Sequence, residues 1–257
     1  MTQKERREYL ITELLKEKSD YADVEIPADE RGQRDLLRAL MNLREPLPIS
    51  DEFLKIQDEY LQQAIREKGV TRLETLAPLE DGLYLWQGDI TTLRIDAIVN
   101  AANSGMTGCY FPCHGCIDNC IHTYAGIQLR NYCNDLMVQQ GHEEPVGRAK
   151  ITPGFNLPAE HVIHTVGPRV VGPLTDEYKE QLKSCYVSCL ALADENKLES
   201  IAFCCISTGE FMFPYKKAAE IAVNTVKEYK ERTGSRIKVV FDVFSQQDWV
   251  AYKALLS

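Results

Sequence analysis

No apolar run in this chain approaches the roughly 18 residues that a membrane-crossing helix needs, so no membrane partner is expected. A basic surplus is missing as well: 29 Lys and Arg face 38 Asp and Glu, for a net charge of −9. The deficit is even, with 13 against 18 in residues 1–80 and 16 against 20 in the remainder. Without a basic patch, a nucleic-acid backbone is not expected as the main partner. An anionic small ligand must then be held by local devices such as backbone N–H groups, a helix N-terminus or a metal. The opening residues, Met1-Thr2-Gln3-Lys4-Glu5-Arg6-Arg7-Glu8, lack the apolar centre of a secretion signal. With no such signal, an odd count of 9 cysteines points to free thiols and metal ligands in a reducing cytoplasm.

Cysteine is what the chain has in quantity, and it is unevenly placed. Between Gly108 and His122 fall four of the 9 cysteines (Cys109, Cys113, Cys116, Cys120) and two of the 5 histidines (His114, His122). Thiolates and imidazoles this close together suit a tetrahedral Zn(II), which is borderline-soft and takes sulfur and nitrogen readily. A lone cysteine is more often a small buried hydrophobe, and Cys204 and Cys205 on an apolar strand are read that way. His122, one turn into a helix, is read as packing.

Residues 1–79 read as a helical extension. Tyr9, Leu10, Leu14 and Leu15 recur at helical spacing, as do Leu36, Leu37, Leu40, Met41 and Leu43. Pro46 and Pro48 interrupt, and Ser50 caps a third helix with Asp51 and Glu52 in its first turn and Gly69 at its end. This unit carries no catalytic signature and reads as a packing or interaction appendage. From residue 80 to 257 the texture changes to α/β. Strands are expected at 83–87, 97–100, 162–166, 200–206 and 237–244, with helices at 119–132, 175–196 and from Pro214 to about Lys230. Such alternation predicts a mixed or mainly parallel sheet sandwiched between helices, with ligands gathering outside the carboxyl ends of the strands.

Three features fall at that edge. Ser207-Thr208-Gly209, between a strand and a helix, has the layout of a phosphate loop, although such residues also make ordinary turns. Asp89, in Gly88-Asp89-Ile90-Thr91, is either a carboxylate for an adenine amino group or an acidic turn. Asn100 and Asn103 end an apolar strand, where amides are scarce and must be hydrogen-bonded; they either recognise sugar hydroxyls or hold the loop.

In that order and spacing, Gly88-Asp89-Ile90-Thr91, Asp96 to Asn103, Val162 to Gly167 and Ser207 to Pro214 resemble the signature segments of macrodomains, over roughly residues 80–255. That family binds ADP-ribose and often hydrolyses it from proteins. Where most hydrolytic members have a glycine-rich loop, this chain runs from Cys109 to Cys116 into Ile117-Asp118-Asn119-Cys120-Ile121-His122. This resembles the bacterial zinc-dependent macrodomain hydrolases, whose pattern is Gly-Cys-(Phe/Tyr)-x-Pro-x-His-x-Cys-Ile-Asp-Asn-x-Ile-His and which also carry an N-terminal helical extension. Met212 is a second departure, standing where macrodomains commonly have glycine between two aromatics.

The resemblance implies one Zn(II) on Cys109, His114 and Cys116, with the fourth position open as in catalytic zinc sites. The alternative is a closed structural site with Cys113 or Cys120 as fourth ligand. It further implies that Asp89 and Ile90 meet the adenine with Phe244 near it, and that Ser207, Thr208, Gly209 and Glu210 cradle the phosphates. Phe211, Asn100, Asn103 and Asp118 then hold the distal ribose, with Asp118 and Asn103 serving catalysis. The expected activity is zinc-dependent removal of mono-ADP-ribose from a modified protein. Lipoyl carrier proteins modified by sirtuin-like transferases are the partners associated with that branch. A non-catalytic ADP-ribose reader with a structural zinc is the rival reading, and a thiol redox sensor a third.

Overall fold

The computed structural model describes residues 1–80 and 82–256. Three helices open the chain, α1 (Gln3–Lys16), α2 (Glu30–Leu43) and α3 (Asp51–Lys68). Each starts where a polar side chain caps it: Thr2, Asp29 and Ser50 accept from the N–H groups of Glu5, Gly32 and Phe53. Their apolar faces, including Leu10, Leu14, Leu37, Leu40 and Phe53, form a separate cluster that takes in Ile127 from the rest of the chain.

Two short strands, β1 (Thr71–Arg72) and β4 (Leu93–Arg94), pair in parallel. Among the described residues the main sheet has seven strands. In spatial order they are β2 (Pro78–Glu80), β3 (Leu83–Gln87), β9 (Lys238–Val243), β8 (Ser200–Phe203), β5 (Ala97–Ala102), β7 (His161–Val166) and β6 (Ala149–Pro153). The inner five run parallel and the two edge strands antiparallel. Helices flank the sheet: α4 (Ile117–Ala125), α5 (Ile127–Gln140), α6 (Asp176–Glu195), α7 (Tyr215–Thr233) and α8 (Gln246–Leu255). Ile98, Val99, Ile201, Ala202, Val239 and Val240 are fully buried, which is why the inner strands read as continuous apolar runs. None of the described helices is long and apolar enough to cross a membrane.

The architecture matches the α/β expectation, with local differences. The helix expected over 119–132 is two helices, broken at Gly126 with φ +97°. A Cβ there would meet the side chains of Gln57 and Gln128, and Gln57 instead accepts from the Ile127 N–H. The strand expected over 200–206 stops at Phe203, because Cys204 onward turns into a loop. Strands β2 and β6 sit at sheet edges and lack an apolar run, so periodicity misses them. Helix α8 follows the last expected strand and was not anticipated, although Ser245 and Asp248 form a capping box at its start. Because the inner strands are parallel, the segments after Gln87, Ala102, Val166, Phe203 and Val243 all emerge at one edge of the sheet.

Candidate active site

Asp89 heads the segment after β3. Its Oδ1 accepts from the Thr91 N–H (3.0 Å) and hydroxyl (2.5 Å), and its Oδ2 accepts from Lys68 Nζ (2.5 Å). Burial works to raise the Asp89 carboxyl, but the Lys68 ammonium and Thr91 outweigh it and hold the group below its ordinary value. Lys68 also stands 3.7 Å over the Tyr124 ring. Ile90 beside it is buried. Phe244, just past β9, is 90% exposed, and its carbonyl accepts from the Gln87 amide at 3.0 Å.

Asn100, on the buried end of β5, donates from Nδ2 to Asp118 Oδ1 (2.8 Å) and to His164 Nδ1 (3.1 Å). An amide nitrogen only donates, so His164 carries its proton on Nε2, 3.0 Å from Thr152 Oγ1. Burial pushes His164 down to about 3, and the ring is neutral. Asn103 donates to the Gly108 carbonyl (3.0 Å) and to Asp118 Oδ2 (3.3 Å). Asp118, in the first turn of α4, is thus gripped by both amides. Burial pushes its carboxyl up to about 6, against the opposing pull of Asn100, Arg130 and Asn103. Asn100 Oδ1 is buried without a hydrogen-bond partner, a polar atom that a sugar hydroxyl would satisfy.

The cysteine–histidine stretch lies beside this network. The donor atoms of Cys109, His114 and Cys116 fall within 4.8 Å of one another. In a tetrahedral zinc set, bonds of roughly 2.1 Å to nitrogen and 2.3 Å to sulfur place donors about 3.5–3.8 Å apart; Cys109 Sγ stands 3.6 Å from His114 Nδ1. Burial pushes the Cys116 thiol up to about 12, with Cys109 and Asp118 adding to it, a penalty on negative charge that a cation relieves. The residues therefore fit the group. His114 turns its other nitrogen toward Glu210, with Nε2 3.6 Å from the carboxylate, so the loop after β8 faces the back of this candidate ligand. Cys113 and Cys120 point elsewhere: Cys113 Sγ meets the Asp35 carbonyl at 3.2 Å, and Cys120 Sγ lies 3.6 Å from Arg38. His122 packs, buried, with neither ring nitrogen hydrogen-bonded. A second gathering of His122, Cys133 and His164 is also buried, but both His164 nitrogens are already taken by Asn100 and Thr152.

After β8 the chain makes a tight loop. Ser207 and Met212 adopt left-handed backbone, with φ +66° and +57°. The Phe213 N–H closes onto the Ser207 carbonyl and the Met212 N–H onto the Gly209 carbonyl, both at 2.9 Å. The N–H groups of Gly209, Glu210 and Phe211 donate to no other described residue, as a phosphate cradle requires. Gly167 makes room for the loop, since a Cβ there would come 2.1 Å from Ser207 Oγ. The left-handed φ at Met212 is one that glycine adopts without strain.

Reading the sequence missed Arg38, Asn42, Lys68, Asn119, Arg130 and His164. Two carried a signal: His164, as a polar residue within an apolar strand, and Asn119, as part of the Ile-Asp-Asn-x-Ile-His pattern. Arg130 donates to the carbonyls of Met41, Asn42, Arg44 and Thr107, tying the N-terminal helices to the loop before the cysteines.

Residues 99–222 match the Macro domain family. A curated relative from Treponema medium, named protein-ADP-ribose hydrolase, is 59% identical over 100% of both chains, so the match includes the N-terminal segment. Among solved structures, an Oceanobacillus iheyensis macrodomain with ADP superposes with TM-score 0.63 and 35% identity, covering 71% of this chain and 94% of its own. A Trypanosoma brucei macrodomain in complex with ADP-ribose gives TM-score 0.67 and 28% identity, covering 85% and 95%. With its sheet order, the loops at one edge and an end-to-end relative agreeing, the chain belongs to the macro domain family.

Proposed function

We propose that this protein is a zinc-dependent hydrolase that removes mono-ADP-ribose from modified protein side chains. The observation that carries the reading is the shared first turn of α4: Cys116 caps that helix while Asp118, two residues on, is held by Asn100 and Asn103. The Cys109–His114–Cys116 trio and the Asp118 carboxylate thus lie side by side at the edge that also carries the loop after β8, which supports reading them as one site. The names of the relatives support the activity and the ligand. Nine free cysteines fit a cytoplasmic setting. The modified protein we favour is a lipoyl carrier acted on by a sirtuin-like transferase, on the family resemblance.

Cys109, His114 and Cys116 would hold the Zn(II), which when bound supplies Lewis acidity toward a substrate oxygen. Asp89 and Ile90 seat the adenine, Phe244 covers it, and the loop Ser207 to Phe211 takes the phosphates on backbone N–H groups. Asn100 and Asn103 orient the distal ribose. Asp118 takes a proton from water as the water oxygen bonds to C1″, the bond from C1″ to the protein side chain breaks, and that proton ends on the departing group. A reader module with a structural metal is the second reading. It is weakened because neither Cys113 nor Cys120 joins the trio to close it.

The test measures ADP-ribose release from a modified protein with and without a zinc chelator, beside ADP-ribose binding and a fold probe. We expect turnover to vanish on chelation while fold and binding persist, and Asp118→Asn to lose roughly 100-fold or more in turnover with zinc retained. Collapse of the fold on chelation supports the structural metal. Full turnover in the Asp118 variant removes the base assignment.

A further inference from the structure

Helix α2 does more than pack. The loop from Asn103 to Cys116 contains no helix or strand, so its backbone groups need partners from elsewhere. Arg38 Nη2 donates to the carbonyl of His114 (2.7 Å) and to Asn119 Oδ1 (2.8 Å), and Arg38 Nε reaches the same Oδ1 at 3.2 Å. Asn119 is fully buried and passes the grip on. Its Nδ2 donates to the carbonyls of Phe111 (3.0 Å) and Cys109 (3.4 Å), and its N–H donates to Cys116 Sγ (3.4 Å). From the same helix, Asn42 Oδ1 accepts the N–H of Cys113 at 2.9 Å, holding a non-glycine residue at φ +55°. Asn42 Nδ2 donates to Thr123 of α4 at 3.0 Å.

We propose that Arg38 is a positioning residue for the metal loop, acting through Asn119 on Cys109, His114 and Cys116, with Asn42 as a second clamp. The N-terminal helices are thereby the outer wall of the active site. This rests on reading the trio as a metal site. The guanidinium suits the task because its planar fork engages two acceptors on different segments at once, which an ammonium does not reproduce. A loop ordered in advance gives up less freedom when the metal binds, so loss of the clamp appears as weaker metal affinity before it appears as loss of fold.

The full chain is titrated with zinc against a chromophoric chelator, for wild type, Arg38→Met, Arg38→Lys and Asn42→Ala, with thermal midpoints of the zinc-free forms recorded alongside. Arg38→Met should bind zinc on the order of 10-fold or more weakly, Arg38→Lys should recover only part, and the zinc-free midpoints should stay together. If Arg38→Met is too unstable to titrate, Asn42→Ala decides by the same comparison. Zinc held as tightly as in wild type overturns the proposal. So does a loss of affinity that only tracks a fallen midpoint, since that marks a purely structural role. A wild-type chain that binds no zinc sinks the metal reading itself, a failure distinct from equal binding by wild type and variant.

Discussion

Lys68, in the last turn of an N-terminal helix, places its ammonium 2.5 Å from Oδ2 of Asp89, the carboxylate that we propose meets the adenine. The two residues lie on opposite sides of the sequence boundary expected near residue 80. Their contact links the helical extension to the segment after β3, as Arg38 links it to the cysteine–histidine loop.

The first prediction concerns this pair. Lys68→Met leaves Asp89 held by Thr91 alone and frees one carboxylate oxygen to swing. Both partners are about a third exposed or more, so the loss is modest. ADP-ribose affinity measured by calorimetry should fall roughly five-fold, or about 1 kcal/mol. Ribose 5-phosphate, which lacks the base, should bind the two proteins alike. An equal loss for both ligands would show that Lys68 acts through general charge.

A second prediction concerns pH. Asp242, buried on β9, has an Oδ1 with no partner. Burial holds its carboxyl well above the ordinary value, the Gly88 N–H opposes that, and the Asp89 charge adds to it. The folded chain therefore keeps a proton that the unfolded chain releases near pH 4. Its contribution to stability is full below that point and is lost as pH rises toward the folded value. Asp242→Asn carries no such proton. Its thermal midpoint should match wild type near pH 4 and exceed it by a few degrees at pH 8. A gap that stays constant between those pH values would show that Asp242 does not titrate in this way.

Backbone strain supplies the third. Met212 sits at φ +57° with its side chain 71% exposed, so removing the side chain forfeits little packing. Left-handed backbone costs a residue with a Cβ about 1–2 kcal/mol, while glycine gives back about 0.5–1 kcal/mol in unfolded-chain entropy. Met212→Gly should leave stability unchanged or raise it by about 0.5 kcal/mol in denaturant unfolding. A loss above about 1 kcal/mol would mean that the Met212 side chain packs on the loop.

Much of the site was legible because it is local. Cys109, His114 and Cys116 sit within one short stretch, and Ser207 to Phe211 form one loop, so residue type and spacing carry the information. The role of Asn100 was half legible. An amide in an apolar strand demands a partner, but nothing in its neighbourhood names His164, whose ring fixes which way the amide faces. Cys113 and Cys120 show the converse. By type they qualify as ligands; the family resemblance leaves them out of the trio, and their turn toward Asp35 and Arg38 gives the physical reason.

By itself the sequence determined the elements and the chemistry of the loops, since apolar period, caps and ligand spacing act over a few residues. Tertiary structure alone decided what the N-terminal helices touch. Arg38 reads as one more solvated charge on a helix, and Lys68 as a cation suited to a helix C-terminus. Their partners Asn119 and Asp89 lie 81 and 21 residues away. Contacts of that kind depend on how separate elements pack, which local propensity does not encode.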